Sequence, residues 1–244
     1  MSARLATTVW QGLGHLVLPG VCLGCHRLLP PDSRDFCAHC LQQVTEDPHS
    51  TCPRCSSTVG PHSDLSEGCP QCRNEGFAFE FAVRLGAYDG LLRDFVLRMK
   101  HAGNEGLAEA VGEAWAERSE AKVREFRADT VIPVPLHWRR RWRRGFNQSE
   151  LLGKCWSRRL NMPFQPRWLR RVRPTAMQSS LSPTARRENV RAAFRAMRCA
   201  KLNGRRVLLV DDVMTTGSTC HSAAKALKDS GASSVVIAVL AHGH

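Results

Sequence analysis

The sequence predicts an α/β fold with a parallel sheet, preceded by a small metal-binding module. Two observations lead to this prediction. Eight of the 11 cysteines lie in four C-x-x-C pairs before residue 73, and from residue 79 onward apolar strand patterns alternate with helical ones. A chain of 244 residues suits a small domain followed by a larger one, and we expect these to be residues 1–78 and 79–244.

The four cysteine pairs are typical of zinc knuckles. Each C-x-x-C turn directs two thiolates at one point, and two such turns supply the tetrahedral sulfur shell that Zn²⁺ prefers. Eight ligands therefore predict two structural zinc ions; sequential pairing closes the shortest loops, and an interleaved pairing stays open. Disulfides conflict with the poor signal-peptide character of the N-terminus, and a redox motif would occur once rather than four times. The predicted ligands are Cys22, Cys25, Cys37, Cys40, Cys52, Cys55, Cys69 and Cys72.

The segment after the cysteines is predicted to form a strand, two helices and a second strand. Phe79–Ala87 alternates apolar and polar residues, as a strand does, and Leu91–Lys100 has apolar residues at helical spacing. A second helix is expected over about residues 104–126. Thr130–Pro135 is an apolar run stopped by two prolines, which indicates a buried parallel strand that ends in a rigid loop. In open α/β sheets, ligands bind at that carboxyl edge.

The most informative segment is Val207–Thr219, with the sequence VLLVDDVMTTGST. Four apolar residues predict a buried strand, two adjacent carboxylates follow at its end, and a Thr/Gly/Ser loop leads into a helix. Gly217 allows close backbone approach, and the N–H groups and hydroxyls at a helix N-terminus suit a phosphate monoester. Because Asp211 and Asp212 would repel phosphate, they are expected to contact sugar hydroxyls or Mg²⁺. The segment lacks the P-loop pattern, and it resembles the phosphoribosyl pyrophosphate signature of type I phosphoribosyltransferases.

The positive charge of the chain is local. The sequence has 35 lysines and arginines against 22 acidic residues, yet residues 139–206 alone hold 20 basic and 2 acidic residues. Such a field attracts nucleic acid or a ligand rich in phosphate. Arginines interleaved with tryptophans are typical of a single-strand binding groove. Two alternatives stay open: a basic helix-entry loop with core tryptophans, and arginines that clamp pyrophosphate. The nucleic-acid candidates are Trp138, Arg139, Arg140, Arg141, Trp142, Arg143 and Arg144.

Further motifs resemble the ComF/GntX family over residues 22–241. They are Tyr88-x-Gly90, Arg93, Lys100, Pro133–Leu136, Arg144–Gln148, Arg173-x-Thr175-x-x-Gln178, Leu181, Arg187, Asn189 and Ala193-Phe194, and the cysteine pairs match as well. The resemblance implies a type I phosphoribosyltransferase-like parallel sheet of about five strands with helices on both faces, and an N-terminal zinc-ribbon module.

The resemblance also implies roles for particular residues. Thr215, Thr216, Gly217, Ser218 and Thr219 would hold the 5-phosphate, while Asp211 and Asp212 would meet the ribose and serve as the catalytic residues. Pro133, Val134 and Pro135 would face the pyrophosphate and its Mg²⁺. The polar segment from residue 173 to residue 189 resembles a flexible catalytic loop, with Arg173, Thr175, Gln178 and Arg187 as its candidates, although an ordinary surface loop stays open.

By this resemblance, the protein would bind phosphoribosyl pyrophosphate and act in the uptake of single-stranded DNA during natural transformation, with other competence proteins as partners. One reading is an enzyme that transfers the phosphoribosyl group, although the sequence has no acceptor-recognition motif. The other is a non-catalytic, ligand-responsive protein that binds single-stranded DNA. No stretch approaches the roughly 18 apolar residues of a membrane span, so a cytoplasmic protein is expected.

Overall fold

The computed structural model describes residues 20–173, 193–198 and 200–243. Four strands, β1 (Ala82–Ala87), β2 (Thr130–Pro133), β5 (Arg206–Met214) and β6 (Ser234–His242), form one parallel sheet. Their order across the sheet is β1-β6-β5-β2. Among the described residues, a single parallel bridge between Val131 and Phe164 extends the β2 edge. The expected parallel sheet of about five strands is therefore four full strands and one bridged segment.

Helices cover both faces of this sheet, as predicted. The bounds are α1 (Ala38–Thr45), α2 (Gly90–Arg98), α3 (Glu105–Glu125), α4 (Trp138–Arg144), α5 (Gln148–Leu160) and α6 (Ser218–Lys228). Side chains alternate along β5 because successive residues of a strand point to opposite faces. Leu208 and Val210 belong to the core shared with α3 and α5, and Val207 and Leu209 belong to the core shared with α6.

A short antiparallel pair lies on the α6 side of the sheet. It consists of β3 (Leu169–Arg171) and β4 (Phe194–Ala196), and Leu169 and Phe194 are buried in the α6-side core. This pair brackets the segment 174–192, which lies outside the described residues.

The cysteines form two tetrads by sequential pairing, as predicted. The first tetrad is Cys22, Cys25, Cys37 and Cys40, and the second tetrad is Cys52, Cys55, Cys69 and Cys72. Each begins with a knuckle of the same geometry: bridges join Val21 to Leu28 and Thr51 to Thr58. His26 and Ser56 follow the second cysteine of each knuckle with φ of 60° and 61°. The two knuckles are therefore a structural repeat, which explains why two non-glycine residues adopt a left-handed conformation at equivalent positions.

The first tetrad shares its core with the sheet and its helices. Cys22, Cys40 and Val44 belong to the same buried cluster as Val83 on β1 and Phe95 on α2. An ion pair adds a polar link, because Arg84 Nε on β1 donates to a carboxylate oxygen of Asp47 at 2.8 Å. Packing is thus continuous across the proposed boundary near residue 78.

The basic segment after β2 forms the helix α4, with His137 at its N-cap and Gly145 at its C-cap. Gly145 ends this helix with a φ of 82°, a positive value that glycine adopts readily. In the part of the chain that the structure describes, we find no helix with the length and apolar character of a membrane span.

Candidate functional site

The carboxyl ends of the parallel strands bring the predicted phosphate and ribose residues to one edge of the sheet. Parallel pairing sets Pro133 of β2 beside Val210 of β5, and Met214 of β5 beside His242 of β6. The loop after β2, the acidic pair near the end of β5 and the loop before α6 therefore lie at the same edge. This is the edge at which open α/β sheets bind ligands.

The loop 215–217 joins β5 to α6 and has the features of an anion cradle. Gly217 caps α6 with φ of 73°, a left-handed conformation that suits glycine. The first N–H groups of α6 have no carbonyl partner within the helix, and they point toward the loop with the positive end of the helix dipole. Thr215 and Thr216 are exposed, and the hydroxyls of Thr216 and Ser218 lie 2.9 Å apart. The loop can therefore offer both backbone and hydroxyl donors to a phosphate.

The two acids differ sharply in environment. Asp211 is buried, and its Oδ1 accepts hydrogen bonds from Ser149 Oγ and from the backbone N–H of Asp212, both at 2.9 Å. Burial, and next the negative charge of Asp212, raise the pKa of Asp211 to about 8, against the opposing effects of the hydrogen bonds from Ser149 and from the Asp212 N–H and of the charge of Arg171. Asp212 is only half-buried and faces Arg144. Asp212 is thus the more accessible acid, and Asp211 is held in place by α5.

The loop after β2 is fixed from behind by α5 and its N-cap. The side chain of the buried Asn147 donates to the carbonyl of Val134 at 3.1 Å, and the Val134 N–H donates to the Val210 carbonyl at 2.8 Å. The buried Gln148 donates to the Met99 carbonyl at the end of α2 at 2.7 Å. Pro133 and Val134 are buried and Pro135 is half-buried, so the loop is a rigid floor beside the acidic pair.

The surface of α4 combines exposed tryptophans with arginines. Trp138 and Trp142 are 64% and 87% exposed, so they are not core residues. Arg139 lies over the ring of Trp138, with Cζ 5.2 Å from its centroid. A cavity of about 650 Å³ is lined by His137, Trp138, Arg139, Arg140, Trp142, Arg143 and Arg171.

The other two arginines of α4 have protein partners. Arg141 forms a two-pronged ion pair with Glu150 on α5. Arg144 is half-buried, donates to the side chain of Gln148 at 3.3 Å and faces Asp212. The seven nucleic-acid candidates therefore divide between an open surface and contacts with the rest of the protein.

Both cysteine tetrads have the dimensions of a tetrahedral metal site. Four thiolates at about 2.3 Å from a zinc ion lie roughly 3.8 Å from one another. The sulfur atoms of Cys25 and Cys37 are 3.8 Å apart, and sulfur pairs in the second tetrad are 3.5 to 3.7 Å apart. Burial acts to raise the pKa of Cys22, but backbone N–H groups of residues 24, 25 and 37 outweigh it and lower that pKa to about 6. The donor sets of both tetrads therefore fit structural zinc.

Some predicted residues lie outside the described part of the chain, and some contributing residues lack a sequence signal. Arg173 is exposed next to β3, whereas Thr175, Gln178 and Arg187 fall within residues 174–192. Ser149 contacts Asp211 from 62 positions away, and Phe77 packs against Gly217. A serine and a phenylalanine in these contexts carry no local motif, and the position of Ser149 directly after RGFNQ is the one available hint.

The fold and the edge site define a phosphoribosyltransferase-type α/β protein. A family model described as Phosphoribosyl transferase domain matches residues 158–244, which include β5, the loop 215–217, α6 and β6.

Comparison with curated proteins extends the similarity to the cysteine module. The chain is 33% identical to the DNA utilization protein YhgH of Escherichia coli O157:H7, over 91% of this chain and 96% of that protein. It is 30% identical to competence protein F of Haemophilus influenzae, over 88% and 94%. It is 24% identical to competence protein ComFC of Bacillus subtilis, over 84% and 82%. The chain belongs to the ComF family.

Proposed function

We propose that the protein binds phosphoribosyl pyrophosphate together with Mg²⁺ at the carboxyl edge of the sheet. The observation behind this proposal is the meeting of three parts at one edge: the loop 215–217 with the α6 N-terminus, the acids Asp211 and Asp212, and the rigid Pro133–Pro135 loop. Each part suits a different portion of the ligand. The match to a phosphoribosyl transferase domain supports the same assignment.

In this site the loop 215–217 and the first turn of α6 hold the 5-phosphate. Asp212, the more accessible acid, accepts hydrogen bonds from the ribose hydroxyls, and Asp211 supports it from behind. The Pro133–Pro135 loop lies against the pyrophosphate, and carboxylate oxygens near it suit Mg²⁺, which prefers oxygen ligands. The ion would neutralise part of the pyrophosphate charge. Each cysteine tetrad holds one structural zinc ion, as the sulfur spacings favour.

Calorimetric titration of the full chain with phosphoribosyl pyrophosphate tests this site. Asp212→Asn should weaken Mg²⁺-dependent binding by roughly tenfold or more, because a hydrogen bond to a charged group contributes about 1.5–3 kcal/mol. Asp229→Asn is the matched control, since Asp229 carries the same charge at the exposed C-cap of α6 and pairs with Lys225. Absence of binding by the wild type, or equal weakening by both variants, would overturn the proposal.

Release of pyrophosphate distinguishes the catalytic reading from the binding reading. Transfer would break the bond between the anomeric carbon and pyrophosphate and join that carbon to a nucleophile of the acceptor. Pyrophosphate release should therefore be screened against nucleobases, amines and DNA. Release that depends on one acceptor class supports a phosphoribosyltransferase, and binding without release supports a ligand-responsive protein.

A second function is favoured by the exposed tryptophans of α4. Aromatic faces stack on bases and arginines pair with phosphates, so the 650 Å³ cavity on α4 suits single-stranded DNA. The relatives named for DNA utilization and competence support a role in handling DNA during its uptake, with other competence proteins as partners. We place this role in the cytoplasm.

The position of the arginines on α4 gives a sharp test of DNA binding. Replacing Arg140 and Arg143 with alanine should weaken single-strand binding. It should also reduce the magnitude of the salt slope, the slope of log K against log salt concentration, by about 1.4, because each lost phosphate contact on a single strand removes about 0.7. Arg141→Ala is the control, since Arg141 pairs with Glu150. Fluorescence anisotropy with a labelled oligonucleotide at several salt concentrations measures both quantities. A slope that is unchanged, or changed equally by Arg141→Ala, would remove α4 from the DNA surface.

A further inference from the structure

The second tetrad lies beside the loop 215–217, which we call the phosphate loop. A cavity of about 440 Å³ has Met214–Ser218 on one side. Its opposite wall comes from the second tetrad and the segment that follows it, including Ser57, Gln71, Asn74 and Phe77. The cysteine module therefore supplies half of the enclosure around the loop proposed to hold the 5-phosphate.

Phe77 packs directly on Gly217, across from the second tetrad. A Cβ atom at Gly217 would lie 3.0 Å from Cε1 and Cζ of Phe77, so the ring packs on the glycine backbone at near-contact distance. The Phe77 ring also stacks on Phe79 with centroids 4.5 Å apart. Phe77 also packs against the buried cysteines of the second tetrad. One side chain thus joins the tetrad to the loop.

Hydrogen bonds hold the segment from Cys72 to Ala78 in place at both of its ends. The Ala78 N–H donates to His221 Nδ1 in the first turns of α6 at 3.1 Å. Arg54, inside the second tetrad's knuckle, donates to the carbonyls of Cys72 and Glu75 at 2.9 and 2.6 Å. The segment from Cys72 to Ala78 is therefore fixed at the tetrad by Arg54 and at α6 by His221.

The first tetrad has a different environment. Its buried members Cys22 and Cys40 pack in the core with α2, α3 and β1. None of its four cysteines is among the described residues that line the 440 Å³ cavity. The two tetrads are similar in ligands and knuckle geometry, so they form a natural pair of test and control.

We propose that the second tetrad, when it holds its metal ion, positions the phosphate loop through Phe77. Phe77 is a positioning residue, and the metal-bound knuckle is its support; the proposal rests on the loop being the 5-phosphate site. Within residues 52–77 the buried apolar residues are the four cysteines themselves, and so small a core needs a metal ion to stay ordered. Loss of the metal therefore releases Phe77 and lets the loop around Gly217 move. A loop that must be ordered on binding holds its phosphate ligand less tightly.

The test removes each metal site separately in the full chain. Cys69→Ser with Cys72→Ser disables the second tetrad, and Cys25→Ser with Cys37→Ser disables the first, with zinc counted per chain to verify one loss in each. Amide hydrogen exchange of residues 214–221 should rise in the second-tetrad variant only. Affinity for ribose 5-phosphate, which lacks the pyrophosphate and so depends on the phosphate loop and the acidic pair, should fall roughly tenfold in that variant, equal to about 1.4 kcal/mol.

A point variant keeps the test decisive if loss of the second tetrad unfolds the chain. Phe77→Ala retains all eight cysteines and should retain two zinc ions, yet it should speed exchange at residues 214–221 and weaken ribose 5-phosphate binding several-fold. Leu65→Ala is its control, because Leu65 packs on the same tetrad and does not line the cavity. Unchanged exchange in Phe77→Ala, or an equal change in Leu65→Ala, would overturn the proposal. Failure of the wild type to bind ribose 5-phosphate would instead overturn the 5-phosphate assignment, and the exchange data would still decide the coupling.

Discussion

Asp211 is buried and has a raised pKa, whereas its neighbour Asp212 is half-buried. Its Oδ1 accepts from Ser149 and from the Asp212 N–H, and its side chain is buried near the charges of Asp212 and Arg171. Burial and the charge of Asp212 favour the neutral acid, which places its pKa at about 8 in the folded protein. The unfolded chain has an ordinary aspartate with a pKa of about 3.9. The folded protein therefore binds an extra proton between these two values.

This proton predicts a pH-dependent stability. Without divalent cations, the stabilisation that Asp211 gives the folded protein is fully present below about pH 4. The free energy of unfolding then falls as pH rises toward about 8, by up to about 1.4 kcal/mol per pH unit. Asp211→Asn removes the titrating group and should flatten this fall. Urea unfolding of the zinc-loaded protein at about pH 5.5 and about pH 7.5 measures the change. Asp229→Asn, exposed on α6, should keep the wild-type slope. A slope shared by all three proteins would show that Asp211 is ionised when folded.

At the same scale, the sequence predicts residues that form local motifs and misses those that act from a distance. Asp211–Thr219 is recognisable because acids, hydroxyls and glycine directly follow four apolar residues of strand type. Ser149 and Phe77 reach the same site from α5 and from the cysteine module, and the packing that brings them there is not written in their neighbouring residues. For the same reason, the distinction between a buried Asp211 and an accessible Asp212 needs the fold.

Elements were predicted best where periodicity was long. The expected helix over about residues 104–126 is α3, Glu105–Glu125. The strand expected to end at Val210 instead continues to Met214, because β6 pairs with it as far as the match of Met214 with His242. The acidic pair therefore lies within the last part of β5 rather than after it. A partner strand sets this length, and it is remote in sequence.

The arginines of the basic segment also differ in their partners from one helix to the next. Arg158 and Arg159 on α5 pair with Glu113, Glu117 and Glu120 on α3, although α3 lies outside the basic segment. These exposed pairs place part of the basic excess on a helix–helix contact, where each contributes about 0–1 kcal/mol. The cationic surface that is free of such pairs is thus smaller than the sequence suggests, and Arg139, Arg140 and Arg143 on α4 form part of it. Composition showed the excess, and only the packing shows which arginines face outward.

At the scale of the whole molecule, the cysteine module and the sheet share one buried cluster. This packing bears on whether the module is an appendage or part of one cooperative unit. The predicted boundary between residues 78 and 79 remains a prediction. The buried cluster on one face of the sheet contains Phe36 and Val44 from the module together with Phe95, Trp115 and Trp156 from the helices. The rings of Phe36 and Phe95 are 5.5 Å apart. A core shared in this way favours one unit, since neither side can expose it without losing apolar burial.

Phe36→Ala tests this cooperativity. A buried Phe→Ala change costs about 3–5 kcal/mol, and in a single unit that loss must appear everywhere. The slowest amides of α5, a helix with no residue in the cysteine module, should then exchange roughly a hundredfold faster or more. Leu41→Ala is the control, because Leu41 lies on α1, five residues after Phe36 in the sequence, and is 40% exposed. If the slow α5 amides keep their wild-type rates while the module's own amides exchange faster, the module unfolds separately. Equal acceleration on both sides of residue 78 would mean that the metal-binding module is part of the phosphoribosyltransferase-type core.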